Sequence, residues 1–315
     1  MFRKSVIGVV CFLVIQMFLS GIDTPEKFFG YKPGTDYKLI HYNKIKDYFV
    51  KVGKESPRVV TQLIGKTTLN NDMVLSVISS EENIKNLETY RQIAQKLSLA
   101  QVSKEEAKKM AAKGKVVVFV TCNLHSGEIG SNQMAPLLLY DMATGNSPEM
   151  KNILDNVIFV FMPSVNPDGQ IMVVEWYDKY KGTKYEGGSL PYLYHWYAGH
   201  DNNRDWYKHN LKETWLASRE FYFNWFPQVL VDEHQMGSSG DRFFIDLNGG
   251  LMLEHCPRRL CIHLVSQFAL PVSLIFERIS EALNPAEFHF VRLVRCSNSG
   301  TECVQNGRTL TRLRM

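Results

Sequence analysis

Two unbroken apolar runs constrain this chain more than any other feature. Residues 115–121 read KVVVFVT and residues 157–162 read VIFVFM. Successive strand residues point to opposite faces, so a run without polar alternation suits a strand covered on both sides. Residues 129–142, between the two runs, carry apolar residues at helical spacing. A third run, 228–232 (QVLVD), follows a helical pattern over 211–225. Buried strands alternating with helices predict a three-layer α/β/α fold around a mixed, mostly parallel central sheet. Upstream, 58–64 and 72–79 read as neighbouring strands around a polar turn at Asn70 and Asn71, and 84–98 has helical spacing. Ser103 and Glu106 have the spacing of a capping box, good helix formers follow, and Gly114 stops that helix.

Both ends of the chain differ from this middle. Arg3 and Lys4 precede an apolar stretch from Val6 to Leu19, followed by Ser20 and Gly21. That layout predicts a secretory signal peptide over 1–21, cleaved near Gly21, and a mature chain that is secreted or periplasmic. The stretch falls short of the roughly 20 residues a bilayer span needs, so no stable membrane span is expected after cleavage. At the other end, residues 246–315 contain no Lys and 8 Arg, whereas residues 1–245 contain 22 Lys and 6 Arg. Four of the six Cys also fall there: Cys256, Cys261, Cys296 and Cys303. The expected division is therefore a signal at 1–21, a catalytic-type domain at 22–245, and an anomalous tail at 246–315, leaving the sheet incomplete on its C-terminal side. A net charge of +4 without a basic block gives no case for a nucleic-acid partner, and a monomer is expected.

Four short motifs carry the chemistry. His125-Ser126-Gly127-Glu128 follows the strand at 115–121, and the carboxyl ends of strands are where α/β sheets build sites. Asp232-Glu233-His234-Gln235 ends the strand at 228–232. Two His and one Glu make a common ligand set for a catalytic zinc, leaving a position open for water. Asn166-Pro167-Asp168-Gly169 reads as a tight turn. In 199–206 (GHDNNRDW), Arg204 offers a guanidinium fork suited to a carboxylate; the plainer alternative pairs it with Asp201 or Asp205.

In this order the pieces resemble the zinc carboxypeptidases of the carboxypeptidase A-like family, over about residues 40–245. The sequence around His234 (DEHQMG) resembles a bacterial-type branch. The resemblance implies one Zn²⁺ per chain held by His125, Glu128 and His234. It also implies that Asn203 and Arg204 bind the free C-terminal carboxylate of a peptide or protein substrate. Asp201 would accept a hydrogen bond from the distal nitrogen of His125, and His200 receives no role.

Two family parts are not matched. The family carries an Arg between the Asn-Pro-Asp-Gly turn and the Asn-Arg pair, but residues 170–203 contain none. Lys179, Lys181, Lys184, Tyr194 and His195 are the candidate substitutes. The general-base Glu of the family comes late, and Glu254, Glu277, Glu281, Glu287 and Glu302 lie in no matching context; Glu233 is disfavoured because neighbouring strand residues face opposite ways. The catalytic base is therefore left open. Three functions fit: a metallocarboxypeptidase, a catalytically silent zinc-binding homologue with a truncated or replaced end, or a zinc deacylase of N-acyl amino acids.

Overall fold

A computed structural model describes residues 21–235 and three short strands at 295–296, 303–305 and 308–310. The signal segment, the late glutamates and all of the tail apart from these three strands lie outside the described residues. The five-stranded sheet is built from β1 (Val59–Lys66), β2 (Asp72–Ile78), β3 (Val116–Thr121), β4 (Val157–Met162) and β5 (Val229–Asp232). Its spatial order is β1-β2-β4-β3-β5. β1 and β2 pair antiparallel, as do β2 and β4, while β4, β3 and β5 run parallel. The sheet is thus mixed, with a parallel centre.

The apolar runs are continuous because each strand feeds two cores. Val118, Val120, Phe159 and Phe161 face one way. They meet α2 (Tyr42–Glu55), α6 (Gly130–Thr144) and α7 (Pro148–Asn156). In α2 the buried Ile45, Tyr48, Phe49 and Val52 recur at helical spacing. Val117, Phe119, Ile158 and Val160 face the other way, against α4 (Leu87–Ser98), α9 (Lys212–Arg219) and the wide turn 220–225. Phe119, Phe159 and Phe161 are almost wholly buried, each worth roughly 1.5–3 kcal/mol. α1 (Pro25–Phe29) packs on the first core through Phe29, and α5 (Lys104–Lys113) lies at the surface. No helix among the described residues is long and apolar enough to cross a membrane.

Three local expectations need correction. The helical stretch 84–98 is two helices, α3 (Glu81–Lys85) and α4, broken at Asn86. The Asn86 amide donates to the Glu82 carbonyl at 2.9 Å, which diverts the backbone from a continuous helix. The stretch 211–225 is α-helical only to Arg219 and closes as a π-turn, with Phe226 at φ 50° before Pro227. Asn166-Pro167-Asp168-Gly169 is the start of α8 (Pro167–Tyr180) rather than a free-standing turn. Asn166 Oδ1 accepts from Gly169 N at 2.9 Å, and Pro167 occupies the first helical position, where its missing N–H costs nothing.

Candidate metal centre

Parallel pairing brings the ends of β3 and β5 side by side, with Thr121 opposite Asp232. Residues just past the two strands therefore share one rim of the sheet. The loop after β3 is held tightly. Asn123 adopts φ 54°, a conformation Asn tolerates better than most residues. Its side-chain amide reaches the carbonyls of His125 and Ser126 at 3.3 and 3.4 Å. Glu128 N then donates to the His125 carbonyl at 3.0 Å, turning both side chains toward one point.

His125 Nδ1 lies 2.7 Å from Glu128 Oε1, and His234 Nδ1 lies 3.1 Å from Glu128 Oε2. Ligand atoms of the three residues all fall within 4.8 Å of one another. The backbone N–H of Gln235 also donates to Glu128 Oε2, at 2.8 Å. Each imidazole turns its far nitrogen to a carboxylate: His125 Nε2 lies 3.0 Å from Asp201 Oδ1, and His234 Nε2 lies 3.0 Å from Asp232 Oδ2. Partial burial pushes the Glu128 carboxyl up, but hydrogen bonds from His125, His234 and Gln235 outweigh it and leave its pKa at about 2. Hydrogen bonds to Asp232 and Glu128 raise His234 to about 10. Two nitrogens and a carboxylate oxygen, converging from separate strand ends with both distal ring nitrogens anchored, are a donor set that fits zinc.

The substrate-binding candidates lie beside this cluster. Asp201 caps a short 3-10 turn, Asn202–Arg204, by accepting from Asn203 N at 2.8 Å. Asn202 Nδ2 donates to the Leu124 carbonyl at 2.6 Å and ties the turn to the loop after β3. Asn203 Nδ2 sits 3.4 Å from His234 Nε2, and Asn203 Oδ1 accepts from Trp206 Nε1 at 3.1 Å. Arg204 is exposed, and among the described residues its guanidinium reaches the Asn203 carbonyl and no carboxylate. The alternative partner Asp205 is buried and already accepts from Asn210 N, Leu211 N, Thr214 Oγ1 and His200. His200 thus contacts the buried Asp205.

Of the five candidates for the absent Arg, one is at the centre. The Tyr194 ring stacks on His125 at 4.1 Å and 13°. His195 is buried against Tyr197, Lys179 and Lys184 lie over the rings of Tyr180 and Tyr185, and Lys181 ends α8. Glu233 is buried, with its pKa raised to about 8 by desolvation and by the charge of Asp232. Sequence reasoning gave no role to Asp232 or Gln235. The Asp-x-His spacing could have indicated Asp232, since residues two apart on a strand share a face; a backbone N–H such as that of Gln235 leaves no sequence signal.

Tyr194 is fixed through its backbone. Its carbonyl accepts from Ser126 Oγ at 2.8 Å and Asn166 Nδ2 at 3.2 Å. A Cβ on Gly169 would lie 2.2 Å from that carbonyl and 2.7 Å from Ser126 Cβ. Gly169→Ala is therefore expected to cost about 2–3 kcal/mol, in the range of overpacking, as measured by urea denaturation. An unchanged midpoint would contradict this close packing.

A sequence model of the family described as "Zinc carboxypeptidase" matches residues 45–222, more than half of the chain. That range includes His125, Glu128, Asp201, Asn203 and Arg204, and His234 lies just past its end. No curated protein matches the chain. Solved structures with some likeness include carboxypeptidase A from Helicoverpa armigera, at 16% identity and a TM-score of 0.42, covering 75% of this chain and 54% of that one. Another is a metallo-carboxypeptidase from Pseudomonas aeruginosa, at 16% identity and 0.40, covering 60% and 38%. A third is a metallo-carboxypeptidase from Burkholderia cenocepacia, at 16% and 0.39, covering 60% and 39%. The chain thus spans little more than half of the first and under half of the other two, and likeness at these scores assigns nothing by itself. The match over residues 45–222 is what places it: the chain belongs to the zinc carboxypeptidase family.

Proposed function

We propose that this chain is a secreted or periplasmic zinc metallocarboxypeptidase that releases the last residue of peptides, with residues 22–245 as its catalytic domain. The observation that carries this reading is the convergence of His125, Glu128 and His234 beside an Arg204 with no carboxylate partner among the described residues. His125, Glu128 and His234 would hold one zinc ion. Such an ion, when bound, polarises a carbonyl and lowers the pKa of a water toward neutrality.

The remaining work belongs to the chain itself. Arg204 presents its fork to the terminal carboxylate, with Asn203 alongside, and this requirement for a free carboxylate restricts attack to the last peptide bond. Asp201 holds the His125 ring and its tautomer through Nε2. Tyr194, whose ring stacks on His125, would supply the hydroxyl that steadies negative charge developing on the scissile carbonyl.

The test uses the full chain loaded with zinc and an N-blocked dipeptide. The expected result is release of the C-terminal amino acid, abolished by a chelator and by amidation of the C-terminus. Arg204→Ala should raise KM for the free-acid peptide roughly 10–100-fold, the worth of a charge-assisted hydrogen bond of about 1.5–3 kcal/mol. Cleavage of N-acyl amino acids in preference to peptides would reassign the chain as a deacylase. Zinc binding without turnover would make it a silent homologue.

A further inference from the structure

The two histidines of the centre are held by different routes. His125 Nε2 meets Asp201, which comes from a distant loop. His234 Nε2 meets Asp232 at 3.0 Å, two residues back on its own chain. Asp232 is itself held. Its Oδ1 accepts from Thr121 Oγ1 at 2.7 Å, and Thr121 is the residue opposite it in the β3–β5 ladder. Thr121 is buried, so water does not compete for that hydroxyl. A line of contacts therefore runs from the core strand β3 through Thr121 and Asp232 to the His234 ring. Its far end is Nδ1, which faces Glu128.

We propose that Asp232 is a positioning residue for the metal: braced by Thr121, its carboxylate accepts the Nε2–H of His234 and thereby presents Nδ1 as a ligand. This rests on the reading of His125, Glu128 and His234 as the zinc site. The physical need is specific. A neutral imidazole exposes a lone pair on only one nitrogen, so a hydrogen bond fixing the proton on Nε2 is what frees Nδ1. The neighbouring amide is the weaker partner: Asn203 Nδ2 sits 3.4 Å from Nε2, farther than Asp232 Oδ2 at 3.0 Å, and Asn203 Oδ1 already accepts from Trp206. Asp232 is thus the acceptor that selects the tautomer. Thr121 sets which way its carboxylate points.

The experiment measures the zinc dissociation constant of the full chain by chelator competition, with no substrate involved. Asp232→Leu should weaken zinc about 10–100-fold, the usual consequence of removing such an acceptor. Asp232→Asn, whose carbonyl can still accept the Nε2–H, should recover most of that loss. Thr121→Val should give an intermediate weakening. A second readout covers the case in which the Leu variant fails to fold. With Co²⁺ as the probe metal, the exchangeable Nε2–H of His234 should give a shifted proton resonance that moves in Asp232→Asn while that of His125 stays. Folded Asp232→Leu with wild-type zinc affinity, or an unmoved His234 resonance in Asp232→Asn, would overturn the proposal. Failure of the wild-type chain to bind zinc at all would instead overturn the underlying site, so the two failures are distinguishable.

Discussion

Glu128→Ala is expected to weaken zinc binding by about 10³-fold. Zinc held by a few protein ligands is bound with about 10–16 kcal/mol, which puts roughly 4 kcal/mol on each ligand, or three decades in affinity. Glu128 is also the residue on which the rest of the centre converges, since it accepts from both imidazoles and from Gln235 N. Removing its carboxylate leaves those two rings without the anion between them. The check is zinc content after dialysis, together with chelator competition. Retention of a full equivalent of zinc by Glu128→Ala would remove the residue from the site.

The second large effect falls on stability. Asp168→Ala should lower the unfolding free energy by about 4–6 kcal/mol. Asp168 is buried in the first turn of α8, and its carboxylate accepts four hydrogen bonds. These come from Thr67 Oγ1 at 2.6 Å, Leu69 N at 2.9 Å, Asn71 Nδ2 at 2.8 Å and Tyr197 OH at 3.0 Å. They join the β1–β2 turn, the start of α8 and the loop leading to Asp201. Each donor left without its acceptor costs about 1–3 kcal/mol, and not all can reach water. For a domain stable by about 5–15 kcal/mol the loss is a large share of the whole. Equilibrium denaturation in urea reads it, and a loss below about 1 kcal/mol would mean that these bonds are readily replaced by water.

The strands were legible because burial on both faces leaves a signature that needs no knowledge of partners. The run at 157–162 is β4 residue for residue, and 115–121 misses β3 only at Lys115. The convergence of His125, Glu128 and His234 into one candidate site was legible for a related reason. Strand ends can be read locally, and parallel pairing then brings two such ends together. What escaped was long-range or conformational. Asn86 competes for the backbone and breaks a helix that spacing alone continues. The contact of Tyr194 with His125 is ring stacking across 69 positions of chain, which no spacing rule reports. Asn166 to Gly169 reads as a tight turn but begins α8, and Asp168 within it anchors a network whose partners, Thr67 and Tyr197, lie far along the chain.

The central claim is that one metal ion is held by two imidazoles and a carboxylate drawn from the ends of β3 and β5. X-ray absorption at the zinc edge of the purified full chain addresses it most directly. The account predicts one zinc per chain, with nitrogen and oxygen neighbours at about 2.0–2.2 Å and an imidazole scattering pattern lost in His234→Ala. Sulfur neighbours at about 2.3 Å, which would place the metal on cysteines such as Cys256 and Cys261, or the absence of stoichiometric zinc, would contradict it.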